Sequence, residues 1–258
     1  MTELLFDDPC VAFALRREAQ PFRRVFRPQQ RFAGAPCWAK FCGPAWLSVL
    51  VLETGVGPLR TERAARWLLD RPKLGKVAYH PKLVLSAGFC GALQDGLRVG
   101  DVVVATEVVN GAGDCWPTTW PGELPPGRWQ PPLQRGRLLS VNRLVSTPEQ
   151  KLSLGLEHGA LAVDMEAATL AQWCRRMEVP FGCVRAVSDE ATMRLSPRLV
   201  SLVSTGRVSP WRLPLALAAA PTLLGEVWRL AKNTRVAAEQ LGKAVGELLT
   251  LTLPWAAD

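Results

Sequence analysis

Three short stretches carry residue types and spacings that can do chemistry. Glu53-Thr-Gly-Val-Gly57 sets a glycine pair between an apolar run and a helical pattern. Backbone amides at such a turn can hold a phosphate or a hydroxyl-rich sugar, which makes Gly55 and Gly57 candidate binding positions. Position 60 is arginine, so no GxGxxG dinucleotide fingerprint is completed, and a plain tight turn explains the same residues. Val163-Asp-Met-Glu-Ala-Ala168 brings Asp164 and Glu166 to the end of a short strand. Ligands of open α/β sheets collect at the carboxyl ends of strands, and a carboxylate there can take both hydroxyls of a ribose. Acids in a first helical turn, favoured by the helix dipole, are the alternative. Val184-Arg-Ala-Val-Ser-Asp189 delivers Ser188 and Asp189 at the end of an apolar strand. A partly dry pocket there favours the protonated carboxyl that a general acid needs; a helix cap or a turn acid is the structural reading.

The elements that must position these residues are legible in the pattern. Val11–Leu15, Arg31–Phe41, Trp46–Leu52, Lys82–Ser86, Asp101–Val109, Ala160–Val163 and Phe181–Val187 read as strands. Near-continuous apolar runs flanked by glycine are what a sheet covered on both faces demands. Helical patterns occupy Thr61–Leu69, with Pro58 suited to the first turn, and Asp164–Met177. Thr147 followed by Pro148 marks another helix start. Residues 113–136 hold six prolines, four glycines and three tryptophans, which predicts an irregular excursion within one domain. The tail, from about Thr222 to Leu251, repeats apolar residues at helical spacing. Alternating strands and helices argue for one α/β domain.

Composition removes several function classes. The chain has 258 residues, 48% hydrophobic and 21% charged, enough to bury a core without disulfides or metal. No apolar run reaches the ~18 residues of a spanning helix. Asp7, Asp8, Arg16, Arg17 and Glu18 occupy the region where a signal peptide needs an apolar centre, which predicts a cytoplasmic protein. The net charge of +8 comes from scattered basic residues without interleaved aromatics, so no nucleic-acid platform is expected. Seven cysteines without a CxxC pair, and two histidines, predict reduced thiols and no metal site.

Order and combination say more than any stretch alone. Ala14-Leu-Arg-Arg-Glu18, Thr54-Gly-Val-Gly-Pro58, Ser86-Ala-Gly-Phe-Cys-Gly-Ala92 with Leu97-Arg-Val-Gly-Asp-Val-Val103, Val163–Ala168 and Val184–Asp189 resemble the nucleoside phosphorylase and nucleosidase superfamily. The branch resembled is that of 5′-methylthioadenosine/S-adenosylhomocysteine nucleosidases. Leu138–Lys151, Gly159–Glu166 and the basic, proline-rich tail further resemble the hopanoid-associated branch, proposed to act on adenosylhopane. The resemblance implies a single α/β domain (1–208) with a central mixed sheet flanked by helices, and a helical extension (209–258) packed on it. It implies no cofactor, a small nucleoside as ligand, and a homo-oligomer.

It also implies roles. Asp189 falls where the family keeps the acid that protonates a purine at N7, and Glu18 where nucleosidases keep the carboxylate that activates water. Glu166 matches the ribose-binding carboxylate and Met165 the thioether on the sugar. Ser188 neighbours the acid and orients it; Leu144 and Val145 fall near the base. Gly88 and Phe89 belong to the glycine motif at the sugar. Ser86 stands where phosphorylases carry an arginine, so water is the expected acceptor. Two departures remain: Phe89 replaces a small polar residue, and Arg16 and Arg17 replace acids. They keep open a phosphate-dependent enzyme or a binding protein without catalysis. The tail has a second use: Trp211, Leu223, Leu224, Trp228 and Leu230 with Arg212, Arg229, Lys232 and Arg235 suit contact with an anionic membrane surface.

Overall fold

Valine-, leucine- and alanine-rich runs have no polar face to offer water, so they pair into a sheet buried on both sides. The computed structural model describes residues 5–6, 8–31, 35–43, 47–70, 72–74, 77–120, 133–203 and 223–252. The first half runs β1 (Leu5–Phe6), β2 (Cys10–Phe13), α1 (Arg16–Val25), β3 (Pro28–Arg31), β4 (Trp38–Cys42), β5 (Val49–Glu53) and α2 (Pro58–Leu69). Next come β6 (Lys73–Leu74), β7 (Val77–Tyr79), β8 (Val84–Ala92), β9 (Val102–Asn110), β10 (Cys115–Pro117) and β11 (Leu133–Ser140). The chain ends with α3 (Pro148–His158), β12 (Ala162–Asp164), α4 (Ala167–Arg176), β13 (Phe181–Asp189), α5 (Pro197–Val203) and α6 (Leu223–Thr252).

Ten strands make one mixed sheet in the order β10-β9-β11-β12-β8-β2-β5-β4-β3, with β13 bonded to both β8 and β9. Because β8 also pairs with β12, and β9 with β11, five strands close on themselves. The nine-residue strands β8 and β13 run parallel in the middle of this closure. A small second sheet joins β1, β7 and β6. The architecture is the expected α/β domain with a mixed sheet and a long C-terminal helix.

Helices cover both faces. Phe22 of α1 and Phe26 just after it pack with Val11, Phe13, Leu85 and Val184 from the sheet and with Leu241, Val245, Leu248 and Leu249 of α6. The opposite face carries Ala65 and Leu68 of α2 against Leu170, Ala171 and Cys174 of α4. A Cβ on Gly242 would stand 2.8 Å from Pro21 Cβ and 2.9 Å from Phe22 N. Only a hydrogen at that position lets α6 lie this close to α1.

Several elements differ from their expected form. Residues 84–92 are one strand with the glycine motif inside it, because side chains from elsewhere need the space beside Gly88 and Gly91. The run expected over 31–41 is two strands, and the helix expected from Asp164 begins at Ala167, since Asp164 still pairs as the last residue of β12. Thr147 does cap α3, accepting from the Gln150 amide at 3.3 Å. Within the excursion, β10 pairs with β9 and Trp120 covers Gly182; residues 121–132 lie outside the described residues. The division expected at 208–209, with Trp211 and Arg212, lies outside them too. Leu224 and Trp228 are exposed on the first half of α6, where Lys232 sits 5.6 Å from the Trp228 ring, whereas Leu230 turns inward. Among the described residues no helix is long and apolar enough to cross a membrane.

Candidate active site

Arg16 and Arg17 open α1 at the mouth of a cavity, and Glu18 at the third helical position folds back under them. Its Oε2 accepts the Leu15 N–H at 2.7 Å, satisfying an orphan donor before the helix. Its Oε1 accepts the Phe89 N–H from β8 at 2.9 Å. Glu18 is almost fully buried, and burial pushes its pKa up to about 7 against the lowering pull of these hydrogen bonds and of Arg185. A carboxylate poised there can exchange a proton with water near neutral pH.

The glycine motif makes room for two acids. A Cβ on Gly88 would lie 3.1 Å from Glu18 Oε1, and one on Gly91 would lie 2.9 Å from Asp189 Oδ2. Gly88 itself does not line the main cavity; Phe89 beside it does. The Gly55–Gly57 turn also works indirectly. Gly55 N–H bonds Ala14 O at 3.1 Å, and Gly57 N–H donates to Glu166 Oε1 at 2.8 Å. Both glycines have positive φ, +88° and +93°, which explains their type at these positions. The amides expected to cradle a ligand are thus engaged by the protein, and Gly57 stands behind a carboxylate that reaches the cavity.

That carboxylate, Glu166, precedes α4. Burial first, and then the charge of Asp164, push its pKa upward. Asp164 faces a second layer: its Oδ2 accepts from Arg185 Nε at 3.0 Å, Arg185 Nη2 at 2.5 Å and the Ala167 amide at 2.9 Å. Arg185 is buried inside β13, and its Nη1 and Nη2 also donate to Ser86 O and Ser86 Oγ. One guanidinium therefore neutralises the acids packed around it, and Ser86 serves as its acceptor.

Asp189 ends β13. Ser188 Oγ donates to its Oδ1 at 2.9 Å, and Lys151 Nζ from α3 donates to its Oδ2 at 2.5 Å. The cavity before these acids measures about 1060 Å³. Glu18, Phe89, Leu144, Val145, Met165, Glu166, Ser188, Asp189 and Gly55 all line it. Leu144, Val145, Leu195 and Leu230 form an apolar wall, while Arg16, Arg17, Arg60, Arg63 and Arg143 stand around the same space. Of the expected site residues, only Gly57 and Gly88 are outside the wall. Lys151 and Arg185 were not singled out as site residues from the sequence. Each lies within a quoted motif, yet nothing in sequence distinguishes a buried cation from a surface one.

An α/β domain whose strand ends bring carboxylates to a large cavity is the frame of a small-molecule enzyme. Residues 45–199 match the model of the phosphorylase superfamily, and the chain belongs to that superfamily, among its nucleosidases, hydrolases of N-glycosidic bonds. A 5′-methylthioadenosine/S-adenosylhomocysteine nucleosidase of Haemophilus ducreyi is 32% identical over 164 residues, 55% of this chain and 68% of that protein. One of Exiguobacterium sp. is 26% identical over 195 residues, 66% of this chain and 80% of its own length. The solved nucleosidase of that name from Neisseria meningitidis, in complex with methylthio-immucillin-A, has a TM-score of 0.67 at 20% identity, covering 95% of this chain and 99% of that one. Futalosine hydrolase of Helicobacter pylori has a TM-score of 0.63 at 18% identity, covering 94% and 98%. At these identities the solved structures establish the shared fold.

Proposed function

We propose that the protein hydrolyses the N-glycosidic bond of an adenine nucleoside, with Asp189 protonating the base and Glu18 activating water. The observation that carries the reading is the position of these two acids, with Glu166, on the wall of one cavity. As the C1′–N9 bond breaks, its electrons go to the base, and a proton from Asp189 at N7 makes adenine a neutral leaving group. The sugar passes through an oxocarbenium-like state, favoured by the carboxylates on its flanks. Water adds to C1′ and gives a proton to Glu18. Glu166, with its raised pKa, can donate to as well as accept from the ribose hydroxyls. Met165 packs on the sugar, Leu144 and Val145 meet the base, Phe89 shapes the sugar pocket, and Ser188 orients Asp189.

The cavity volume stands at the top of the usual range for small-molecule sites. It favours a nucleoside with a substituent at the 5′ position, methylthioadenosine-like or, in the hopanoid reading, adenosylhopane. Leu230 and Thr234 of α6 line the cavity, so the tail would close one wall for the unit spanning 1–208. Exposed Leu224 and Trp228 would meet a membrane carrying a lipid nucleoside, and exposed Leu152 and Leu156 on α3 support a homo-oligomer. The cavity arginines favour a second reading, phosphorolysis, in which they bind phosphate in place of water.

The test is adenine release from methylthioadenosine, adenosine and a lipid-linked adenosine, with and without phosphate, beside an Asp189→Asn variant. Phosphate-independent release lost in the variant supports the nucleosidase. Release only with phosphate selects phosphorolysis, and no release from any substrate refutes both in favour of a binding protein.

A further inference from the structure

We infer that Lys151, which no part of the nucleosidase reading uses, is the positioning residue that holds Asp189 for proton transfer to the base and pairs its charge once the proton has been given. The inference rests on the nucleosidase reading. Lys151 lies in the first turns of α3, and its side chain is wholly buried, with 0% exposure. A buried lysine is rare unless a partner compensates the cost of removing its charge from water. Nζ donates to Asp189 Oδ2 at 2.5 Å, Glu190 O at 2.7 Å and Met193 O at 3.4 Å. Three acceptors match the three N–H groups of an ammonium; a neutral amine would set its lone pair against one of them.

Lys151 does not line the cavity, whereas Asp189 does. The lysine therefore acts on substrate only through the acid. Its two carbonyl partners tie the 190–193 turn to the carboxylate, and Ser188 fixes the other oxygen. An acid catalyst must be protonated before the step and ionised after it. The Asp189 carboxyl gives its proton to N7, and the C1′–N9 pair leaves with adenine. Lys151, still an ammonium, then pairs the charge of the ionised Asp189. The proton that water gave to Glu18 returns to solvent, Asp189 regains one through the cavity that it lines, and the cycle is balanced.

The test exploits the leaving group. 4-Nitrophenyl β-D-ribofuranoside releases a stable phenolate that needs no proton, so only the adenine nucleoside calls on the Lys151–Asp189 pair. Lys151→Met is expected to lower kcat for methylthioadenosine by about 10²–10⁴-fold with KM within about threefold, and to change 4-nitrophenol release by less than about tenfold. Asp189→Asn should show the same pattern. Equal losses on both substrates, or full adenine release by Lys151→Met, would overturn the inference. If Lys151→Met does not fold, Lys151→Met with Asp189→Asn removes both charges and leaves no ion buried alone. That double variant should match Asp189→Asn within about twofold on methylthioadenosine, and a further tenfold loss would overturn the inference. Wild-type enzyme that releases no adenine refutes the nucleosidase reading itself. Wild type active, Asp189→Asn inactive and Lys151→Met active refutes Lys151 alone.

Discussion

Replacing Gly91 by alanine tests how tightly the strand holds the acid. The new Cβ would lie 2.9 Å from Asp189 Oδ2 and 3.4 Å from its Cγ. Ordinary carbon–oxygen contact begins near 3.4 Å, so the carboxylate must retreat by about 0.5 Å. Misplacing a catalytic group by ~1 Å can cost ~10²-fold, which makes the expected fall in kcat about tenfold. The fold should tolerate the change, because Gly91 has no positive φ and alanine suits a strand better than glycine by ~0.5–1 kcal/mol. Adenine release from methylthioadenosine gives kcat, and calorimetry should find Tm within about 3 °C of wild type. Gly88→Ala is the matched control: its Cβ meets Glu18 Oε1 at 3.1 Å, a retreat of ~0.3 Å and about a fourfold loss. With 4-nitrophenyl riboside, Gly91→Ala should be spared and Gly88→Ala should not, since water attack is needed for both leaving groups. A Gly91→Ala enzyme that folds normally and keeps full kcat would refute the reasoning.

Three other outcomes follow from the same geometry. Burial holds Glu18 protonated up to about pH 7, and the base must be ionised. The kcat/KM profile should therefore climb about tenfold per pH unit below 7 and level above it, while Glu18→Gln should lose that limb; an unchanged limb in the variant would assign it elsewhere. Arg185→Met should cost about 3–5 kcal/mol and lower Tm by roughly 10 °C, because it strands the buried Asp164 charge; an unshifted calorimetric Tm would show that Arg185 does not carry this load. Gly242→Ala should destabilise despite alanine's helix advantage of ~1 kcal/mol, since the Cβ collides with Pro21 and the Phe22 backbone at a cost of ~1–3 kcal/mol; a rise in urea midpoint would contradict the close α1–α6 approach.

Much of the site was legible because its signals are local. Strand-end acids at Glu166 and Asp189 follow from apolar runs that stop at a carboxylate, and the Thr147–Pro148 start of α3 from cap chemistry. Glu18 was legible only through resemblance, since a glutamate after two arginines looks like any helix surface. The glycine motif continues the strand expected at Lys82–Ser86, and its glycines were unexplained for a related reason. Period-2 patterns report which residues face a core, but not which distant side chain needs the space beside a glycine. Gly88 and Gly91 are glycines because Glu18 and Asp189 arrive there from other elements.

The sequence by itself determined an α/β chain, its strand and helix order, a buried long C-terminal helix and the family to which these belong, because hydrophobic period, caps and motif order act over a few residues at a time. Tertiary structure alone decided that Lys151 is a buried partner of Asp189, that Arg185 and Asp164 neutralise each other beneath the cavity, and that the Gly57 amide holds Glu166. Each of these joins residues 21 to 109 positions apart; β13 carries Arg185 and Asp189 into the first two pairs, and the β12-β8-β2-β5 run of the sheet brings Glu166 to Gly57. Burial then changes what the groups do: the same glutamate that would be an ordinary surface acid becomes, at 3% exposure, a base poised near neutral pH.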